Sequence, residues 1–122
     1  MFQTVKVINA TRQTVLLKEA RVADRFGSRL KGLLGTNALP SGQGLLLVPC
    51  RSVHTCGMRF PIDVGFVDPQ GRLCRLIHRM PPCRFSPVIK EAAYVLEAPA
   101  GTFAQTGTME GDAVTLEPPL LR

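Results

Sequence analysis

The sequence predicts a mainly β domain, an antiparallel β-sandwich or partly open barrel with one covering α-helix. Three observations carry this. Seven short apolar or alternating segments recur between turn-forming residues. One stretch has the 3.6-residue period of an amphipathic helix. No alternation of strands with helices is evident, which argues against a parallel nucleotide-binding sheet.

The elements follow in order. Residues 4–9 carry Val5, Val7 and Ile8 and read as a strand, turned by Asn9, Ala10, Thr11 and Arg12. Residues 13–22 read as the second strand, with Val15, Leu17 and Glu19 on one face. A helix is expected over residues 24–34. Asp24 can cap it, because its carboxylate accepts the first unpaired amide protons. Phe26, Leu30, Leu33 and Leu34 fall on one stripe, Arg25, Arg29 and Lys31 fall off it, and Gly35 is a natural stop. Gly27 and Gly32 each cost about 1 kcal/mol relative to alanine, so this helix needs a sheet to dock on. Residues 36–44 form a loop. Residues 45–48 are apolar at consecutive positions, as in a strand buried on both faces, and Pro49 ends them. Ile62, Val64 and Phe66 alternate as another strand. Asp68, Pro69, Gln70 and Gly71 form a strong turn signal, and residues 72–78 follow as the hairpin partner. Residues 80–90 hold three prolines and read as an irregular surface loop. Residues 94–97 and 113–117 are the last strands, with Gly101 and Gly111 between them.

A length of 122 residues suits one domain over 1–122. Hydrophobic residues at 45% and charged residues at 20% exclude disorder as the default. No run of about eighteen apolar residues is present, so no membrane-spanning helix is expected. The N-terminal residues lack a basic start followed by an apolar core, and a soluble, cytoplasmic protein is expected. The four cysteines, Cys50, Cys56, Cys74 and Cys83, contain no Cys-x-x-Cys pair. They read as free thiols, reduced and mostly buried. The net charge of +6 is unevenly placed: residues 51–90 hold seven basic and two acidic side chains, and residues 91–122 one basic and five acidic. The arginines are expected to pair with the acidic last third. One tyrosine, no tryptophan and no RNA-binding aromatic signature argue against a specific nucleic-acid partner.

Residues 54–68 read His-Thr-Cys-Gly-Met-Arg-Phe-Pro-Ile-Asp-Val-Gly-Phe-Val-Asp. This segment resembles the signature of an uncharacterised family, domain of unknown function 192. Residues 29–35, Arg-Leu-Lys-Gly-Leu-Leu-Gly, are similar to the family's arginine-then-Gly-Leu helix. Residues 94–101, Tyr-Val-Leu-Glu-Ala-Pro-Ala-Gly, with Gly111 and Asp112 after them, are similar to its closing motif. Together these stretches cover about 25–116. The chain departs from the pattern at Cys56, at Gly65 in place of a branched aliphatic residue, and at Ala98 in place of leucine. The resemblance implies a mostly-β, sandwich-like fold and no particular reaction, so function has to be argued from side chains.

Asp63 is the most pointed residue. It lies between Ile62 and Val64 and shares the opposite face with Gly65, where the missing side chain leaves room for another chain or a ligand. It can serve as a base, as a ligand partner, or as a structural acceptor for loop amides between His54 and Arg59, and the structural role is favoured. His54, Cys56 and Met58 form a His-x-Cys-x-Met pattern whose atoms suit soft metals, but a packed edge explains it equally, and no metal or cofactor is expected. A cysteine nucleophile drawn from Cys56, His54 or His78, and Asp63 is disfavoured, because Cys56 is not part of the family's pattern. The leading expectation is a non-enzymatic binding module with Arg51, His54, Thr55, Met58, Arg59 and Asp63 at one end of the sandwich, taking a small anionic or sugar-like ligand. The alternatives are a small hydrolase-like enzyme using Asp63 and His54, and an assembly partner docking through its basic face on another protein. The oligomeric state stays open.

Overall fold

The protein is described by a computed structural model over residues 3–33 and 35–120, without the side chains of Phe26, Leu30 and Lys31. Its elements are β1 (Thr4–Asn9), β2 (Thr14–Ala23), α1 (Phe26–Lys31), β3 (Gln43–Leu47), β4 (Ile62–Val67), β5 (Leu73–Met80), β6 (Tyr94–Pro99), α2 (Thr102–Thr106) and β7 (Val114–Glu117). The strands form one seven-stranded sheet in the order β5-β4-β6-β3-β2-β1-β7. The sheet curls until its ends touch at one corner. There Leu73 N–H donates to Asp112 O at 2.9 Å and Val114 N–H to Gly71 O at 2.7 Å. The result is a half-barrel, mainly β as expected.

Turn chemistry sets the hairpins. Asp68 Oδ1 accepts the Gln70 and Arg72 amides at 3.0 and 2.9 Å, and Gly71 takes φ +83. That geometry returns β5 antiparallel along β4. Strands β3, β4 and β6 are buried on both faces. Along them consecutive residues enter two different cores. Val7, Leu17, Leu46, Leu96 and Phe103 belong to the core inside the curl. Leu45, Leu47, Met58, Val64, Phe66 and Val95 belong to a second core on its outer face. This double burial explains the apolar run at 45–48. It also explains Gly44: a Cβ there would stand 2.5 Å from the Glu97 carbonyl oxygen and 2.6 Å from Leu17 Cδ1.

The structure departs from expectation in five places. First, β2 and β3 run parallel, with α1 in the crossover between them. Second, the alternation expected in β2 fails: register shifts in the β1–β2 pairing bury Leu16 and Leu17 together and leave Val15 and Glu19 exposed. Third, α1 is shorter. Asp24 does not cap it; Ser28 Oγ instead accepts the Arg25 N–H and donates to the Arg25 carbonyl. Gly32, at φ +47, ends it before Gly35. Of its predicted stripe Leu33 is buried, while Leu34 and the side chains of Phe26 and Leu30 lie outside the described residues. Fourth, the 84–89 segment, irregular as expected, is nonetheless tied to residues 51–55 by an isolated His54–Phe85 bridge and backbone hydrogen bonds. Fifth, α2 was not expected at all.

One polar network ties the β1–β2 turn to the loop entering β7. Buried Asn9 donates to Asp112 Oδ2 at 2.9 Å and to Thr108 Oγ1 at 3.1 Å, and accepts the Arg12 amide at 3.0 Å. Arg12 Nε donates to Asp112 Oδ2 at 3.0 Å, and the Met109 amide reaches the same oxygen at 2.9 Å. The Arg12 guanidinium above all, with Asn9 and Met109, holds the Asp112 carboxyl down at about 2. A carboxyl depressed on folding contributes its full stabilisation above its unfolded value and loses it as the pH falls through the folded one. Asp112→Asn should therefore cost about 1–3 kcal/mol at neutral pH, and it should flatten the wild type's loss of stability between pH 3.8 and about 2. Urea denaturation of both proteins across that range checks this.

Candidate functional site

The segment from Arg51 to Asp63 is built largely as scaffold. Thr55 is fully buried. Its Oγ1 donates to Pro81 O at 2.6 Å and accepts the Arg84 amide at 2.9 Å, while its own amide donates to Arg84 O at 2.8 Å. His54 is half-buried, with its ring 5.8 Å from that of Phe85, and its Nδ1 accepts the Cys56 amide at 3.2 Å. Met58 is buried in the outer core. Arg51 and Arg59 are exposed; Arg51 Nε donates to Ala92 O at 3.4 Å and Arg59 Nη1 bonds Asn37 Oδ1. The fold thus gathers Arg51, His54 and Thr55 against the 81–92 segment and sends Asp63 to the opposite face of the sheet.

Asp63 is fully buried and both of its oxygens are used. Oδ1 accepts the Arg79 amide at 2.9 Å and Oδ2 the Phe103 amide at 3.0 Å. Its partners therefore lie in β5 and α2, not in the His54–Arg59 loop where they were expected. The room left by Gly65 is filled by Phe103, whose Cζ would meet a Cβ there at 3.1 Å. Two successive positions on the same face of β4 thus anchor α2, one by a hydrogen bond and one by an absent side chain.

By its sequence Glu97 is only one residue of a strand. It pairs in register with Leu45 and Val64 and so faces the outer core. It is 4% exposed, and among the described residues no group hydrogen-bonds its carboxyl. Burial alone pushes that carboxyl up to about 7. Its charge and that of Arg29 both act on the half-buried thiol of Cys50. Burial, with Glu97 adding to it, raises that thiol against the pull of Arg29. Burial and Asp68 likewise raise Cys74. Neither has the lowered pKa of an activated nucleophile. All four cysteines are free, but none is fully buried and Cys83 is exposed, so the expected burial does not hold. No cluster of three or more His, Cys, Asp or Glu side chains suited to a metal occurs among the described residues.

A cleft of about 270 Å³ opens where the loop after α1 crosses the parallel β2–β3 pair. Glu19 and Arg21 of β2 share a face with Gln43 and Leu45 of β3, because Glu19 pairs with Gln43 and Arg21 with Leu45. Those four side chains form one wall, and Leu33 and Leu39 help to form the other. Arg21 Nη2 also reaches Gly32 O at 3.5 Å. None of the six residues singled out between 51 and 63 lines this cleft. The signal that could have pointed to it, Glu19 and Arg21 at alternate positions in a strand, looks like any solvent-facing edge.

The family model of domain of unknown function 192, described as "Uncharacterized ACR", matches residues 6–116. No curated protein matches the chain. Two solved structures share its fold. One is a protein of unknown function from Novosphingobium aromaticivorans, with TM-score 0.80 and 21% identity over 93% of this chain and 84% of that one. The other is a putative transcription regulator from Sinorhizobium meliloti, with TM-score 0.78 and 24% identity over 96% of this chain and 95% of that one.

The two central carboxyls should respond oppositely to loss of charge. Asp63→Asn leaves one amide facing an amide donor, and the stability read from urea unfolding at neutral pH should fall by about 1–3 kcal/mol. Glu97 is an acid raised on folding. It carries no penalty below its unfolded value of 4.5, and it loses stability as the pH rises toward about 7, because the unfolded chain ionises first. Glu97→Gln should therefore melt higher than wild type at pH 8 and about equally at pH 4. Thermal melts at the two pH values check the second expectation.

Proposed function

The chain belongs to the family domain of unknown function 192, and from its own side chains we propose that it is a non-enzymatic binding module for a small polyhydroxylated ligand. The observation that carries this is the cleft over β2 and β3, whose lining includes Glu19, Arg21 and Gln43 beside Leu33, Leu39 and Leu45. Hydroxyls donate to Glu19 and accept from Arg21 and Gln43. The carbon face of a sugar-like molecule packs against Leu33, Leu39 and Leu45. A few polar groups set among apolar ones is the usual make-up of a small-ligand site, and 270 Å³ suits a single ring. The same arginine serves a carboxylate on the ligand.

Hydrolysis through Asp63 and His54 finds less support. Asp63 holds a backbone amide on each oxygen and is fully buried, so no water or substrate can approach it from solvent.

The test is saturation-transfer NMR of the full chain against a panel of monosaccharides, polyols and sugar acids. Binding by a subset is expected, weakened about tenfold or more by Glu19→Gln or Gln43→Ala and unchanged in Arg51→Ala and Arg59→Ala. Weakening by the second pair alone would move the site to the 51–63 loop.

A further inference from the structure

Among the described residues, the two most exposed large apolar side chains are Phe85 at 77% and Val88 at 67%. They lie three positions apart in a segment that is held firmly. Residues 84–89 run antiparallel to residues 51–55. The Thr55 amide donates to Arg84 O at 2.8 Å, the Ser86 amide to Val53 O at 2.9 Å, and the Ile89 amide to Arg51 O at 2.8 Å. Side chains lock the same ribbon: Ser86 Oγ accepts the Val53 amide at 2.9 Å, and Thr55 Oγ1 accepts the Arg84 amide at 2.9 Å. Val53 and Ile89 face inward and are buried. The exposure of Phe85 and Val88 is thus fixed by a bonded backbone, not left to a loose loop. Arg51, Arg84 and Lys90 flank them, all exposed, with Glu91 as the neighbouring acid.

We propose that this ribbon is a docking surface for an anionic lipid bilayer, with Phe85 and Val88 entering the interface and Arg51, Arg84 and Lys90 contacting the headgroups. Apolar tips ringed by cations match the layering of such a surface, where acyl chains lie beneath negative headgroups. A second copy of the chain fits worse, because two molecules of charge +6 would meet through their basic sides. The ribbon is separate from the β2–β3 cleft, so the two proposals stand or fall independently.

Sedimentation of the full chain with vesicles of equal parts phosphatidylglycerol and phosphatidylcholine tests this, against phosphatidylcholine alone. Binding is expected with the anionic vesicles and should be suppressed by salt. Arg84→Gln combined with Lys90→Gln should weaken it about tenfold or more, at about fivefold per cation. Phe85→Ser should weaken it about tenfold. These side chains are exposed, so the variants should melt as wild type does. If Phe85→Ser melts early, Val88→Ser provides the apolar arm. Failure of wild type to bind anionic vesicles overturns the proposal, as does binding that all these variants leave intact. Saturable binding to an acidic, phenylalanine-containing peptide without vesicle binding overturns it in favour of a protein partner.

Discussion

Strands β3, β4 and β6 are buried on both faces, so any carboxyl they carry must be satisfied or neutralised inside the protein. Two carboxyls meet this constraint at neighbouring positions. Asp63 pairs with Ala98 and Glu97 with Val64, which sets the two acids next to each other on opposite faces of the sheet. On the inner face two backbone amides supply Asp63 with donors. On the outer face no described group does this for Glu97, and its pKa rises toward neutrality instead. One acid is thereby a structural tie, and the other is a proton-binding group held in an apolar layer. Difference in environment, not in residue type, separates their roles.

The covers of the sheet follow from this arrangement. A five-residue helix is too short to be stable alone, and α2 exists because Asp63 accepts one of its first amides while Gly65 admits Phe103. On the outer face the cover is mostly loop. Thr55 takes the part that a strand ladder would otherwise play, joining residues 55, 81 and 84 through one hydroxyl. A polar residue near the start of the 54–68 segment therefore holds the outer cover in place.

Strand positions were legible because they rest on local chemistry. The Asp68 to Gly71 turn and the doubly buried run at 45–48 needed no tertiary information. The parallel β2–β3 pairing was not legible, because it depends on where α1 crosses. The register shifts that bury Leu16 beside Leu17 depend on β1. The candidate site divides in the same way. Asp63 stood out as a lone acid in an apolar strand, and its structural role was foreseen, but its partners are 16 and 40 residues away in sequence. Glu97 carried the same signal, an acid between Leu96 and Ala98, and passed as an ordinary strand residue. The Glu19 and Gln43 pair could not be seen without the parallel register.

The distribution of charge is expected to cancel, with arginines pairing to the acidic last third, and among the described residues the ion pairs to those acids fall on one side. Lys6 finds Glu117 and Arg12 finds Asp112, both across the β1 and β7 end of the sheet. The arginines near the outer cover bond to uncharged oxygens instead: Arg51 to Ala92 O, Arg59 to Asn37 Oδ1, Arg84 to Cys83 O. Bonds to neutral acceptors fix a guanidinium in place without cancelling its charge, so the field of these side chains still extends into solvent. Of the acids of the last third, Glu91 stays beside this face next to Lys90, and the others are drawn elsewhere by the same topology. Glu110 accepts the Leu76 amide on the open side of β5 at 3.1 Å, protecting an edge strand from pairing with another chain. Glu97 is buried, and Asp112 is held by Arg12. Acids that close and protect the barrel cannot also neutralise the face carrying Phe85 and Val88, and that face remains basic as a consequence of how the sheet is sealed.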